Sequence, residues 1–172
     1  MQPKANPANI LIGENCRITL LTDSLIRFEY SPEHHFEDRA SQKVWFRDLG
    51  EVPFREERSG RARRILTDAL VIRFEEGPHF LESLAVTMRS AQRSCEIPWT
   101  YGKKCENLFG TARTLDTADG PIPLEEGILS ADGRQTHTTE TKRGQPFAMK
   151  FLVYHFSSES FFSLAFILLR AS

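Results

Sequence analysis

Few residues in this chain combine reactive chemistry with a spacing that could make a site. Asp116 and Asp119 sit three apart in the run Asp116-Thr117-Ala118-Asp119-Gly120. Such a turn can present ionised carboxylates as hydrogen-bond acceptors, with Gly120 permitting the tight backbone. Arg113, three residues before Asp116, carries the planar fork that can orient a carboxylate by a bidentate pair. The competing reading is that the two aspartates cap their own turn and bond local backbone. Trp99 and Tyr101 offer flat faces for stacking, or else pack beneath the loop.

The remaining polar clusters point away from chemistry. His34 and His35 are adjacent, and neighbours on an extended chain point to opposite sides, so a solvated pair is expected and no metal site. Glu37-Asp38-Arg39 reads as local surface charge pairs, or as a contact with a neighbouring domain. The run Arg61-Ala62-Arg63-Arg64 is basic but short and lacks interleaved aromatics, so a solvated face is expected rather than nucleic-acid binding. Cys105 lies beside Lys103, Lys104 and Glu106, with neither a base nor a redox partner next to it. No cofactor is implied by any of these.

The elements that would position such residues are strands. From Arg17 onward apolar side chains recur with a period of two. Ile18 and Leu20 alternate with Arg17 and Thr19. After the Thr22-Asp23-Ser24 turn, Ile26, Phe28 and Tyr30 alternate with Arg27 and Glu29. That predicts a hairpin held by cross-strand pairs. Ser31-Pro32 ends it, and 33–42 reads as a loop. Further strands are predicted at 44–46, at 52–55, around Leu70, Ile72 and Phe74, and, after the Gly77-Pro78 turn, around Leu84, Val86 and Met88. Many short strands joined by turns predict an all-β fold, an antiparallel β-sandwich. Between 89 and 133 the pattern loosens into a glycine-punctuated, loop-rich segment, where sites usually reside.

Length and composition fit one soluble domain. The 172 residues carry 22 basic and 23 acidic side chains, with 40% hydrophobic residues, so no polyanionic partner is implied. Three cysteines without a C-x-x-C pair suggest neither a disulfide framework nor a zinc knuckle, and a reducing, cytoplasmic setting is the default. Residues 1–9 read as a flexible lead-in without the apolar core of a secretory signal. The end of the chain is phenylalanine-rich, but 151–169 is broken by His155, Glu159 and four serines. A membrane span needs about 20 apolar residues, so a buried strand or helix, or a non-native tail, is expected there rather than a membrane anchor.

Three blocks together resemble the N-terminal region of bacterial family 31 glycoside hydrolases, the α-glucosidase family. The first is Arg17 to Pro32 followed by Phe36-Glu37-Asp38-Arg39-Ala40-Ser41, and the second is Trp99-Thr100-Tyr101-Gly102. The third runs from Asn107 through Gly110, Arg113 and Asp116 to Gly120, then from Glu126 to Gly133. Order and spacing agree with the family over 10–133. Phe109 stands where the family has a second glycine. After Gly133 the family continues with Trp and an Asp-Asp-Ser run, whereas this chain has Arg134-Gln135-Thr136-His137. The resemblance stops there, and the change of composition suggests a divergent ending or, preferably, a frame change in the coding sequence. Residues 134–172 are therefore expected to be an irregular, divergent apolar tail.

The resemblance implies a β-sandwich of the galactose-mutarotase-like type and, for the full enzyme, retaining hydrolysis of α-linked glucosides. That chemistry needs two carboxyl groups about 5 Å apart, which the family carries on a barrel of about 250 residues. A 172-residue chain has no room for such a barrel, and neither Trp45 nor Trp99 begins the family's Trp-x-Asp-Met-Asn-Glu nucleophile block. The expectation is a non-catalytic domain, truncated before its barrel and inactive alone. In the full enzyme a loop of this domain reaches the rim of the substrate pocket. The candidates for that rim are Asp116 and Asp119, accepting from sugar hydroxyls, and Arg113, orienting those carboxylates, with Trp99 and Tyr101 as stacking candidates. The alternative is a free-standing carbohydrate-binding module.

Overall fold

A computed structural model describes residues 3–40, 46–89, 98–103, 108–109, 118–124, 134–140 and 149–155. Among these residues the fold is almost entirely β, in two antiparallel five-stranded sheets. The first sheet has the order β1-β2-β3-β10-β9, from β1 (Ile10–Ile12), β2 (Cys16–Leu20), β3 (Leu25–Tyr30), β9 (Arg134–Glu140) and β10 (Met149–His155). The second runs in sequence order through β4 (Arg55–Ser59), β5 (Ala62–Leu66), β6 (Leu70–Glu75), β7 (Ala85–Met88) and β8 (Trp99–Thr100).

The predicted hairpin is β2 and β3, paired antiparallel with Ile18 opposite Phe28 and Leu20 opposite Ile26. Its turn is set by Thr22, whose Oγ1 accepts hydrogen bonds from the backbone N–H groups of Ser24 (3.2 Å) and Leu25 (3.0 Å). Local side-chain bonding of this kind gives the backbone a turn in place of a ladder. The corresponding turn of the second sheet is built by Thr67, whose Oγ1 accepts from the Leu70 N–H at 2.9 Å and donates to the Asp23 carbonyl at 2.5 Å. One hydroxyl thus ties the β2–β3 turn to the β5–β6 turn.

The alternating apolar residues of both sheets meet in a single core. Ile18, Leu20, Ile26 and Phe28 from the first sheet pack in one cluster with Ile65, Leu70, Ile72, Phe74, Val86 and Trp99 from the second. A sandwich-like arrangement follows, because each sheet has one apolar face that must be removed from water. Phe80 plugs the cluster from α1 (Phe80–Ser83), a single helical turn between β6 and β7 that periodicity did not predict. Its ring lies edge-on to Phe74 and stacked with Tyr30. At the start of the chain a 3-10 turn, Pro7–Asn9, is capped by the Asn6 side chain. It presents the buried Asn9, which donates to the Gly50 carbonyl at 2.7 Å and accepts from the Val52 N–H at 2.9 Å.

Several boundaries differ from the sequence expectations. The strand expected over 52–55 begins only at Arg55 and runs to Ser59, because Pro53 has no N–H for a ladder and the Val52 N–H is taken by Asn9. Phe46 lies in no strand, and 44–45 lie outside the described residues. β5 falls on the basic run, which was expected to be a solvated face. Arg63 is in fact buried at 3% exposure, paired with Glu56 and Glu76 and lying 5.4 Å from the Phe74 ring centroid.

The expectation of an irregular tail is corrected over two stretches. β10 pairs antiparallel with β3, with Phe151 opposite Phe28 and Val153 opposite Ile26, and β9 pairs with β10. The physical reason is that β3 would otherwise leave a row of unpaired backbone groups beside β2, and an extended apolar segment satisfies them. No helix among the described residues is long and apolar enough to cross a membrane.

Candidate functional site

Among the described residues a dense polar cluster lies on the first sheet, on the face opposite the core. In the β2–β3 register Arg17 faces Glu29 directly, and Arg17 Nε donates to Glu29 Oε2 at 2.6 Å. Arg27, two residues before Glu29 on the same face, reaches the other carboxylate oxygen at 2.7 Å. Strand alternation places Arg17, Arg27 and Glu29 on the face opposite the apolar one, and they are 6%, 7% and 1% exposed.

What covers them is the segment after β3. Asp38 accepts from Arg17 Nη1 at 2.7 Å, and the Glu37 backbone carbonyl accepts from Arg17, Arg27 and Arg47. Glu37 N–H closes the loop onto Glu29 Oε1 at 3.2 Å. Phe36 lies 5.1 Å from the Arg17 guanidinium, near enough for a cation–π contact. Arg47 donates to the Arg39 carbonyl at 2.8 Å, while its buried Nε has no hydrogen-bond partner among the described residues. The expected local pairing of Glu37 with Arg39 is present on the surface, whereas Asp38 turns inward.

Burial shifts these groups in the expected directions. It pulls the Arg27 guanidinium down to about 10, with Glu29 opposing the fall and Arg47 and Arg17 adding to it. Burial also lowers Arg47. For Arg17 burial acts downward, but the hydrogen bonds and charges of Glu29 and Asp38 outweigh it, and the net direction is up. All three stay charged at neutral pH. With both carboxylates engaged by guanidinium groups, the cluster is built to pin Phe36 to Arg39, together with Arg47, to the sheet.

The rim candidates fall in different places. Trp99 is in β8 and 3% exposed, inside the core cluster, and Tyr101 packs half-buried against that cluster. Asp119 is exposed and precedes Gly120, whose φ of +106° gives the expected tight backbone. Trp99 faces the core and Asp119 faces solvent, so the two share no exposed surface. Arg113 and Asp116 lie outside the described residues. His34 and His35 are both exposed, and no group of three or more His, Cys, Asp or Glu side chains able to hold a metal occurs among the described residues.

The sequence reading missed the Arg17–Glu29–Arg27 cluster, although a signal for it existed. Centring the hairpin turn on Asp23 places Arg17 opposite Glu29, and opposite charges at facing positions stabilise a strand pair. A scan against protein-family models returns no match, and a search of the curated proteins returns none either.

Proposed function

We propose that this chain is a non-catalytic β-sandwich domain of the kind that precedes the barrel in α-glucosidase-like family 31 glycoside hydrolases. Its role is to scaffold the full enzyme and to lend a loop to the rim of a pocket for α-linked glucosides. The motif blocks in the sequence support this reading, and one structural observation fits it. Within the first block, Arg17 to Pro32 and Phe36 to Arg39 are held together by Arg17, Glu29, Glu37 and Asp38. Residues separated in the motif thus form one interlocked unit, which gives a physical reason for them to occur together.

The DNA beyond the last codon tests the proposal. A segment encoding a barrel with the Trp-x-Asp-Met-Asn-Glu block, in any frame, is expected there, and its absence from all three frames overturns the reading. Purified protein alone is expected to release no p-nitrophenol from an α-glucoside and to show no saturable heat with glucose, maltose or isomaltose. Saturable binding of these sugars would instead identify a free-standing carbohydrate-binding module, since half a subsite leaves most sugar hydroxyls in water.

A further inference from the structure

The outer face of the second sheet carries a groove of about 430 Å³, lined among others by Glu57, Ser59, Ala62, Arg64, Arg73 and Glu75. Strand register explains its charge. Glu57, Arg64, Arg73 and Ala85 form one cross-strand row over β4, β5, β6 and β7. Two arginines therefore stand directly opposite each other, an arrangement that destabilises a sheet unless something compensates it. Glu57 compensates only one, accepting from Arg64 Nη1 at 3.0 Å.

The rest of the donor capacity is idle. Arg73 is exposed and makes no hydrogen bond or ion pair among the described residues. Arg64 Nε is buried and has no partner there either. Arg63 and Arg58, which also border the groove, are engaged by Glu56. At the end of the row stands Ala85, too short to fill the space beside Arg73. The next row, Ser59, Ala62 and Glu75, supplies hydrogen-bond acceptors across a low floor.

We infer that this groove is a binding site for a small phosphate monoester carrying hydroxyl groups. A phosphate monoester is close to a dianion at neutral pH, which matches two facing guanidinium groups better than a monoanion does. The free Arg73 fork can meet phosphate oxygens in a bidentate manner and Arg64 can add its remaining terminal nitrogen, while Glu57 and Glu75 accept from the hydroxyls. The site is on the opposite side of the second sheet from the core and does not depend on the carbohydrate-enzyme reading above.

The test is a titration of the full chain with glycerol 3-phosphate, inorganic phosphate and glycerol, followed by NMR or calorimetry, on the wild type and on Arg73→Gln. Glycerol 3-phosphate is expected to saturate, inorganic phosphate to bind more weakly and glycerol not to bind. Arg73→Gln is expected to weaken glycerol 3-phosphate about tenfold or more, the loss appropriate to a charge-assisted contact. Without ligand, R73Q should melt no lower than the wild type, because it removes a like-charge contact. Three binding results overturn the inference: no saturation by glycerol 3-phosphate, binding unchanged in R73Q, or glycerol binding as tightly as its phosphate. A clear drop in the ligand-free melting temperature of R73Q does so too, since it would make Arg73 a structural residue.

Discussion

Arg17 and Glu29 are direct cross-strand partners and share a 2.6 Å charge-assisted hydrogen bond that is almost wholly out of water. Glu29 also neutralises Arg27 and receives the Glu37 N–H, so one carboxylate holds two strands and the covering loop. Replacing it with an isosteric amide leaves the buried Arg27 guanidinium without its ion-pair partner and Arg17 with Asp38 alone. Glu29→Gln is expected to cost about 3–5 kcal/mol, the range for breaking a buried pair by removing one partner. Urea unfolding measures it, and a loss below about 1 kcal/mol would show that the cluster is hydrated in solution.

Asn9 makes a two-sided bridge from the N-terminal turn to the Gly50–Val52 segment. Asn9→Ala leaves the Val52 N–H and the Gly50 carbonyl without their partner. The expected cost is about 1–3 kcal/mol, with faster amide exchange at Val52 than in the wild type. Unchanged exchange at that amide contradicts the assignment.

Gly77 has a φ of +99°, and a Cβ built there meets the Arg61 guanidinium and the Glu14 carboxylate, which pair at 2.8 Å. An alanine would both strain the backbone and push that pair apart. Gly77→Ala should lower stability by at least about 1 kcal/mol. The control is Gly50→Ala, whose φ is also positive but whose Cβ meets nothing, so only the backbone part of the penalty should appear. Equal losses at both sites would refute the crowding argument.

Cys16 is buried in the core, and that burial pushes its thiol up to about 11, with Glu76 adding to the rise and Arg63 opposing it. A group whose value is raised on folding stabilises the fold below its ordinary value, here 9.0, and loses that contribution as pH rises through about 11. Stability of the wild type should therefore fall between pH 9 and 11 with a slope of up to about 1.4 kcal/mol per pH unit. Cys16→Ala should show a shallower fall in the same urea series. Identical slopes would mean the thiol is not protected.

The sequence by itself determined the all-β class, the β2–β3 hairpin with its turn at Thr22, and the core positions of β6 and β7. These follow from a period of two and from turn chemistry, both carried by residues close together in the chain. It did not determine the fate of the polar halves of those strands. Alternation says only that Arg17, Arg27 and Glu29 lie on the face opposite Ile18 and Phe28. Whether that face meets water or other residues depends on where Glu37, Asp38 and Arg47 lie, and the tertiary structure places them over it.

The same limit explains Arg63, β9 and β10. A basic run reads as a solvated face until Glu56 and Glu76 are brought beside it from other parts of the chain. A composition that breaks from the preceding pattern reads as a tail until an unpaired β3 edge gives it a strand to join. Periodicity is a local property, whereas burial of charge and pairing of edges depend on residues far apart in sequence, so only the folded chain decided them.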